Sequence, residues 1–244
     1  IGILAGVIMI STSSSIDKAN FAKAQAFSST VQNELLSNLV SEWTFDSDMV
    51  SNKTEDTWGN NHGTVVGTLQ YYDSSSGNCV FGGCYNFSGD DYIDCGNRPS
   101  FNFTFGGITI TSWVKRNTIG ASMRILDKGG QSNSNYDYSM GFGSADKIFF
   151  GAVKTSDVIS NRTDSVDKYA STTDWMYIVG TYDENSIKIY VNGALIKTTT
   201  TGTLSNTSID ALHLGQKVDG TQKINAVIDD VRIYNAALSS SQIK

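Results

Sequence analysis

Short strand-like runs recur about every 10–20 residues from residue 41 to the end of the chain, and they constrain the fold more than any other feature. Glycine, asparagine, aspartate and serine separate the runs. The runs cover residues 43–46, 64–69, 92–95, 108–115, 124–127, 136–142, 147–153, 175–183, 187–191, 195–199, 211–214 and 226–234. Many short strands at this spacing are typical of a β-sandwich.

Local patterns within these runs support the same fold. Two segments alternate with a period of two residues, namely Ile108, Ile110, Ser112 and Val114, and then Ile187, Ile189 and Val191. This alternation is typical of strands that bury one face. Asn192-Gly193 follows directly and predicts a tight hairpin, because both central positions of a type I′ turn need a positive φ.

The first 40 residues have a different pattern, which predicts a helix over residues 1–40 and a sandwich domain over 41–244. They contain no proline, and their only glycines are Gly2 and Gly6. Residues 1–10 are entirely apolar or glycine. Apolar residues then recur at helical spacing at Ala24, Phe27, Val31, Leu35 and Leu39. A helix of this length would extend about 60 Å, more than one small core can cover.

Charge and composition exclude several classes of protein. The formal net charge is −6 and no lysine or arginine cluster is present, which argues against nucleic-acid binding. No apolar run reaches the roughly 18 residues that a membrane-spanning helix needs. Only 17% of residues are charged, and serine, threonine and glycine are abundant. This composition favours an extracellular location.

The β region resembles laminin-G-like, concanavalin A-like jelly rolls. Residues 175–193 (WMYIVGTYDENSIKIYVNG) resemble their central hairpin, and residues 228–243 resemble their last strand and exit turn. Segments 39–46, 60–64, 87–96 and 107–115 agree with the family's order. The resemblance implies a mainly β fold. In this fold, the long N-terminal helix is followed by a jelly-roll sandwich.

The start of the chain resembles the middle of a type IV pilin or pseudopilin helix. The matching residues are IGILAGVIMISTSSSIDKANFAKAQ, at 1–25. Members of that family begin about ten residues earlier, with a glutamate that sets subunit registry, so the chain is expected to be a fragment. The resemblance implies a structural subunit of an extracellular filament, inserted in a membrane only before assembly. Copies of the chain would pack through Ile1, Ile3, Leu4, Val7, Ile8 and Ile10.

Other interpretations remain open at this point. The apolar start could be a signal-peptide remnant or a plain membrane anchor, although the helical pattern continues to Leu39. The second functional hypothesis is an anchored or secreted carbohydrate-binding lectin module. A filament subunit assembles through its helix, whereas a lectin would keep its activity without it.

The jelly-roll resemblance also implies a structural Ca²⁺ between the first and last strands. Asp46 and Asp229 are the first candidates for its ligands, and Asp90 and Asp56, in turns, are the second. Carboxylate and carbonyl oxygens are the ligands that calcium prefers. The alternative is that acids beside turns are solvated or form Asx-turns.

The sequence favours binding over catalysis. The glucanase pattern E-x-D-x-x-E is absent, and the chain has only Glu34, Glu42, Glu55 and Glu184. We therefore expect no enzyme. Sugars or other surface ligands could stack on aromatic rings, with Trp113 as the main candidate beside Trp58, Tyr136 and Tyr138. A core position for Trp113 is the favoured alternative, because nothing in the sequence fixes the curvature of the sheet.

The three cysteines suggest one local disulfide. Cys79 and Cys84 enclose VFGG, and the two glycines allow the chain to turn back, so these residues are expected to pair. Cys95 would then be a buried thiol. Pairing of Cys84 with Cys95 is the alternative.

Overall fold

The structure is a computed structural model that describes residues 2–103, 106–129, 136–152, 162–200, 209–239 and 242. The side chains of residues 2–16 and of Tyr136 lie outside this description. The predicted assembly residues Ile1, Ile3, Leu4, Val7, Ile8 and Ile10 therefore fall outside the described side chains.

One helix precedes a β domain. Helix α1 spans Gly2–Leu35 and continues into a 3₁₀ turn at Leu36–Asn38. The strands are β1 (Leu39–Trp43), β2 (Lys53–Thr54), β3 (Gly63–Val66), β4 (Gln70–Tyr72), β5 (Cys84–Ser88), β6 (Tyr92–Asp94), β7 (Ile108–Arg116), β8 (Met123–Gly129), β9 (Tyr136–Phe142), β10 (Ile148–Ala152), β11 (Arg162–Asp164), β12 (Met176–Tyr182), β13 (Ser186–Val191), β14 (Ala194–Thr200), β15 (Leu212–Leu214) and β16 (Asn225–Tyr234). The helix ends before the predicted residue 40, because Leu39 pairs with Tyr234 of β16.

The strands form two antiparallel sheets. The first sheet has the order β14-β13-β12-β7-β16-β5-β4, and the second has the order β11-β10-β9-β8-β15-β6-β3-β2. Strand β1 joins the first sheet by pairing with the end of β16 that β5 does not use. The core lies between the sheets and contains the alternating residues that the sequence predicted, such as Ile110 and Ile189. The mainly β sandwich is therefore confirmed.

The predicted hairpin is also confirmed. Strands β13 and β14 pair on either side of Asn192 and Gly193. Both residues have a positive φ, 51° and 82°. Asparagine and glycine are the residues that tolerate this backbone conformation best.

Helix α1 packs on the outer face of the first sheet. The predicted stripe, Ala24, Phe27, Val31, Leu35 and Leu39, is buried. It contacts a set of large rings on that sheet, namely Trp113, Tyr177, Tyr190 and Tyr234. We call these residues the helix–sheet cluster. From Ala24 onward, the apolar stripe of the helix is therefore buried against the β domain of the same chain.

Within the described part of the chain, no helix combines the length and the apolar character that crossing a membrane requires.

The predicted disulfide is confirmed. Cys79 and Cys84 are joined, with their Cα atoms 5.5 Å apart. Cys95 is a buried free thiol, so the alternative pairing of Cys84 with Cys95 is wrong. The loop that the disulfide closes donates the N–H groups of Val80 and Phe81 to the Asp229 carboxylate. The disulfide thus fixes a turn against the last strand.

Candidate functional site

The outer face of the second sheet carries a continuous row of polar and small residues, which we call the polar sheet face. Strand register places one residue from each of seven neighbouring strands on this row. In order they are Thr64, Asp94, His213, Asp127, Ser139, Gly151 and Arg162. The small residues Ser139 and Gly151 lie between side chains that can donate or accept hydrogen bonds. The row therefore has its smallest side chains at β9 and β10.

An aromatic pair lies towards one end of this face. The rings of Tyr92 and His213 are 4.8 Å apart between centroids, at an angle of 42°. His213 Nδ1 is 3.3 Å from Gln216 Nε2. Burial lowers the pKa of His213, and the carboxylates of Asp94 and Asp210 oppose that effect. A neutral imidazole beside a tyrosine ring offers a hydrogen-bonding group and an apolar surface together.

The other end of the face carries two arginines around one ring. The guanidinium carbons of Arg124 and Arg162 lie 4.4 and 4.0 Å from the centroid of the Phe149 ring. Arg162 also forms a forked ion pair with Asp164, in which Nε lies 3.2 Å from each carboxylate oxygen. The side chain of Arg162 is 33% exposed and that of Asp164 is 42% exposed. This pair can therefore contact a ligand.

Asp127 is a buried carboxyl group in the centre of the row. Its Oδ1 accepts a hydrogen bond from Arg124 Nε at 3.3 Å, and its Oδ2 accepts the Val218 N–H at 3.0 Å. Burial raises the pKa of Asp127 to about 7, although Arg124 and the Val218 N–H act in the opposite direction. The charge of this face therefore changes near neutral pH.

We expect Asp127 to make the protein less stable as the pH rises from about 4 to about 7. The pKa in the folded state, about 7, is above the unfolded value of about 3.9, so the folded state binds more protons in that window. Thermal unfolding of the wild type and of Asp127→Asn across this range checks it. Between pH 4 and pH 7 the stability of the variant relative to the wild type should rise, because only the wild type has the Asp127 carboxyl group. A difference in stability between the two proteins that stays constant from pH 4 to pH 7 would contradict the prediction.

Trp113 does not form the sugar-stacking surface considered from the sequence. It is fully buried under α1, with its ring 5.6 Å from that of Phe21 and 5.1 Å from that of Tyr177. Its Nε1 donates to Ser28 Oγ at 3.4 Å. The stacking prediction is therefore wrong, because the helix covers this face of the sheet and leaves Trp113 in a core.

The other aromatic candidates have different positions. Tyr138 is buried and donates its hydroxyl to the Phe101 carbonyl at 3.2 Å. Tyr136 has its side chain outside the described set. Trp58 is 52% exposed, in the loop between β2 and β3. Of these rings, only Trp58 is shown to face solvent.

The structure brings together two of the four acids proposed for calcium. Asp46 Oδ1 accepts the Gly83 N–H at 3.2 Å, and Asp229 Oδ2 accepts the N–H groups of Val80 and Phe81. Both acids thus contact the disulfide loop, and Asp229 Oδ1 is buried without a hydrogen-bond partner in the described part of the chain. No group of three acidic, histidine or cysteine side chains suited to a metal occurs among the described residues.

The other two acids occupy different environments. Asp56 accepts four backbone N–H groups, from Glu42, Trp58, Gly59 and Asn61, at 2.9–3.1 Å. Its oxygens therefore organise a turn, which is the alternative that the sequence left open. Asp90 is 93% exposed and pairs with Lys223. Neither acid joins Asp46 and Asp229 beside the disulfide loop.

The polar sheet face was not predicted from the sequence. A signal was present, since His213 stands alone between Leu212 and Leu214, and Asp127 follows the apolar pair Ile125 and Leu126. Such residues mark the outward side of a strand. Their approach to each other depends on the pairing of β15 with both β6 and β8, which distant segments of the chain supply.

The two packed antiparallel sheets define a concanavalin A-like jelly-roll domain. The chain belongs to the Laminin_G_3 family of the concanavalin A-like lectin/glucanases superfamily, whose model matches residues 87–244. This finding confirms the jelly-roll resemblance. The match does not include helix α1. No curated protein matches the chain.

Several solved structures share the fold. Domain 4 of AbnA, an extracellular arabinanase from Geobacillus stearothermophilus solved with arabinotriose, has a TM-score of 0.62 and 17% identity, over 84% of this chain and 96% of that one. The binding domain of Paraclostridial Mosquitocidal Protein 1 has a TM-score of 0.62 and 18% identity, over 86% of this chain. A structure of botulinum neurotoxin type C, described as interacting with two ganglioside molecules, has a TM-score of 0.61 and 18% identity, over 87% of this chain. The chain spans about half (51%) of the length of each toxin structure.

Proposed function

We propose that the protein is a glycan-binding module without catalytic activity, and that the polar sheet face is its ligand site. One observation carries the proposal: α1 covers the outer face of the first sheet around Trp113, whereas the outer face of the second sheet carries Tyr92 and His213 towards one end and the partly exposed Arg162 at the other. A ring beside a few convergent polar groups is the usual composition of a small-ligand site.

The comparisons support binding rather than catalysis. Similar folds occur in an arabinanase domain solved with arabinotriose and in a toxin described as interacting with gangliosides. The carboxylates of the polar sheet face are engaged by cations or N–H groups, as Asp127 is by Arg124 and Asp164 is by Arg162. Paired in this way, they suit ligand binding better than proton transfer.

Titration of the full chain with arabinotriose, with ganglioside oligosaccharides and with a broader glycan panel tests this proposal. We expect Tyr92→Ala and Arg162→Ala each to weaken the binding of ganglioside oligosaccharides at least about tenfold, which corresponds to about 1.4 kcal/mol. Arg98→Ala is the matched control at another exposed position and should bind normally. Absence of binding to every glycan, or equal loss in the control, would overturn the proposal.

We propose filament assembly as a second function, carried by the N-terminal half of α1. The helix begins at Gly2, but its described contacts with the first sheet begin near Phe21. Residues 1–10 are apolar throughout, and burying six large aliphatic side chains between copies would contribute on the order of 10 kcal/mol. The chain would then be displayed outside the cell, with the sandwich on the outer surface of the filament.

Electron microscopy of material sheared from producing cells tests the assembly proposal. Filaments with helices at the centre and a β-sandwich on each outer lobe would support it. Val7→Asp should abolish filaments because it would bury a charge between subunits, whereas Ser13→Asp changes a position that is already polar. Wild-type protein found only as single copies would refute it.

A structural Ca²⁺ beside the disulfide loop remains a prediction, with Asp46 and Asp229 as its ligands. At a calcium concentration a hundredfold above Kd, the ion would stabilise the fold by about 2.7 kcal/mol and raise Tm by about 5–10 °C. Asp229→Asn should abolish this rise, and Asp90→Asn should keep it. Equal Tm values in calcium and in chelator would rule out the site.

A further inference from the structure

Four amide side chains form a row on the outer face of the first sheet, beyond the area that α1 covers. Gln70 belongs to β4, Asn86 to β5 and Asn225 to β16, which are neighbouring strands. Asn117 directly follows β7, and its N–H donates to the Asn225 carbonyl. Asn117 Nδ2 lies 2.7 Å from Asn86 Oδ1 and 2.9 Å from Asn225 Oδ1, and Asn86 Nδ2 lies 3.4 Å from Gln70 Oε1. Strands lie about 4.8 Å apart, so the row extends about 14 Å.

The row keeps a regular set of hydrogen-bonding groups for a ligand. Each amide has two N–H donors and one carbonyl acceptor. Asn117 uses its amino group within the row, while Asn225 and Gln70 use their carbonyls. Among the described residues, the carbonyl of Asn117 and the amino groups of Asn225 and Gln70 have no hydrogen-bond partner and are therefore available to a ligand. Gln70 and Asn117 are exposed, and the other two are half-buried.

An aromatic cavity lies next to the row on the same sheet. Lys115 precedes Asn117 by two residues on β7 and shares its face, and its Nζ lies 5.3 Å from the centroid of the Trp175 ring. Trp175 lines a cavity of about 460 Å³ with Phe21 of α1. The charged residues of its lining are Asp17, Lys18 and Asp174. This volume falls within the range of small-ligand sites. The outer face of the first sheet thus carries uncharged amides, then Lys115, and then the rings of Trp175 and Phe21 at the edge of the helix.

We propose that the amide row and the Trp175 cavity form a second saccharide-binding strip, specific for neutral oligosaccharides. The amides carry no charge. At the cavity, the lysines Lys115 and Lys18 are balanced by the carboxylates Asp17 and Asp174, so the strip has no excess of either sign and suits the hydroxyl groups of neutral sugars. Trp175 and Phe21 offer apolar ring surfaces for sugar C–H groups. The inference rests on the proposed glycan-binding function and adds a site on the opposite sheet, at the edge of the helix.

Titration of the full chain with arabinotriose and other neutral oligosaccharides, followed by calorimetry and by tryptophan fluorescence, tests the strip. We expect Asn117→Ala and Trp175→Ala each to weaken binding at least tenfold. Asn185→Ala, at an exposed residue between β12 and β13, is the matched control and should bind as the wild type does. Tm measurements on each variant separate loss of binding from loss of folding, and Gln70→Ala, at an exposed residue, provides a second variant of the row.

The outcomes distinguish the strip from the polar sheet face. Loss of neutral-sugar binding in Asn117→Ala but not in Arg162→Ala supports the strip. Loss only in Tyr92→Ala or Arg162→Ala overturns the strip and leaves the proposed function intact. Binding of ganglioside oligosaccharides without any neutral sugar also overturns the strip alone. If no glycan binds at all, both proposals fail.

Discussion

Replacing Trp113 with alanine is expected to lower the free energy of unfolding by about 3–5 kcal/mol, the range for truncating a fully buried large aromatic residue. Trp113 is 0% exposed and contacts the rings of Phe21, Phe81 and Tyr177. Its removal would leave a cavity between α1 and the first sheet, and neither element can close that cavity without moving. Chemical denaturation of the full chain measures the effect.

The control for this experiment is Trp58→Ala. Trp58 is 52% exposed, so its removal should change stability by less than about 0.5 kcal/mol. Glycan binding by Trp113→Ala should be unchanged under conditions in which the variant remains folded. A Trp113 variant of normal stability that has lost glycan binding would show instead that the covered sheet face is a ligand site.

Replacing Asp56 with alanine is expected to cost about 3–5 kcal/mol of stability, since four N–H groups lose one shared acceptor. The Asp56 carboxylate is 2% exposed and connects β1, through Glu42 N–H, to the loop at Trp58, Gly59 and Asn61. Buried donors left without an acceptor cost about 1–3 kcal/mol each, although such costs do not add fully.

The same variant distinguishes a structural turn from a metal site. If Asp56 organises the turn, the loss of stability in Asp56→Ala will be equal in calcium and in chelator. Asp90→Ala should remain within about 0.5 kcal/mol of the wild type, because its side chain is 93% exposed. A loss that appears only in calcium would restore Asp56 as a ligand.

The position of α1 explains why the two sheets differ in their potential for binding. The helix buries its stripe against Trp113, Tyr177 and Tyr190, so the rings of the first sheet become a second core. At the end of the polar sheet face, Arg162 and Asp164 are partly exposed, and a covering helix would have to desolvate both charges. Ligand contacts are therefore expected on the second sheet and along the uncovered margin of the first.

The sequence alone determined the features that depend on neighbouring residues. Strand alternation around Ile110 and Ile189, the Asn192-Gly193 hairpin and the apolar stripe from Ala24 to Leu35 follow from side-chain periodicity and turn chemistry. The disulfide between Cys79 and Cys84 follows from a separation of five residues that glycines make flexible. Each of these requires information from one short segment.

Tertiary structure decided which residues meet across the sheets and which face is covered. The alternating pattern of β7 would be the same whether Trp113 faced solvent or a helix. Only the docking of α1 on the sheet places Trp113 in a core. Asp127, His213 and Arg162 are far apart in the chain, and strand pairing brings them into one row. Periodicity determines the side of a strand on which a residue lies, whereas burial and partners depend on long-range pairing that local sequence does not encode.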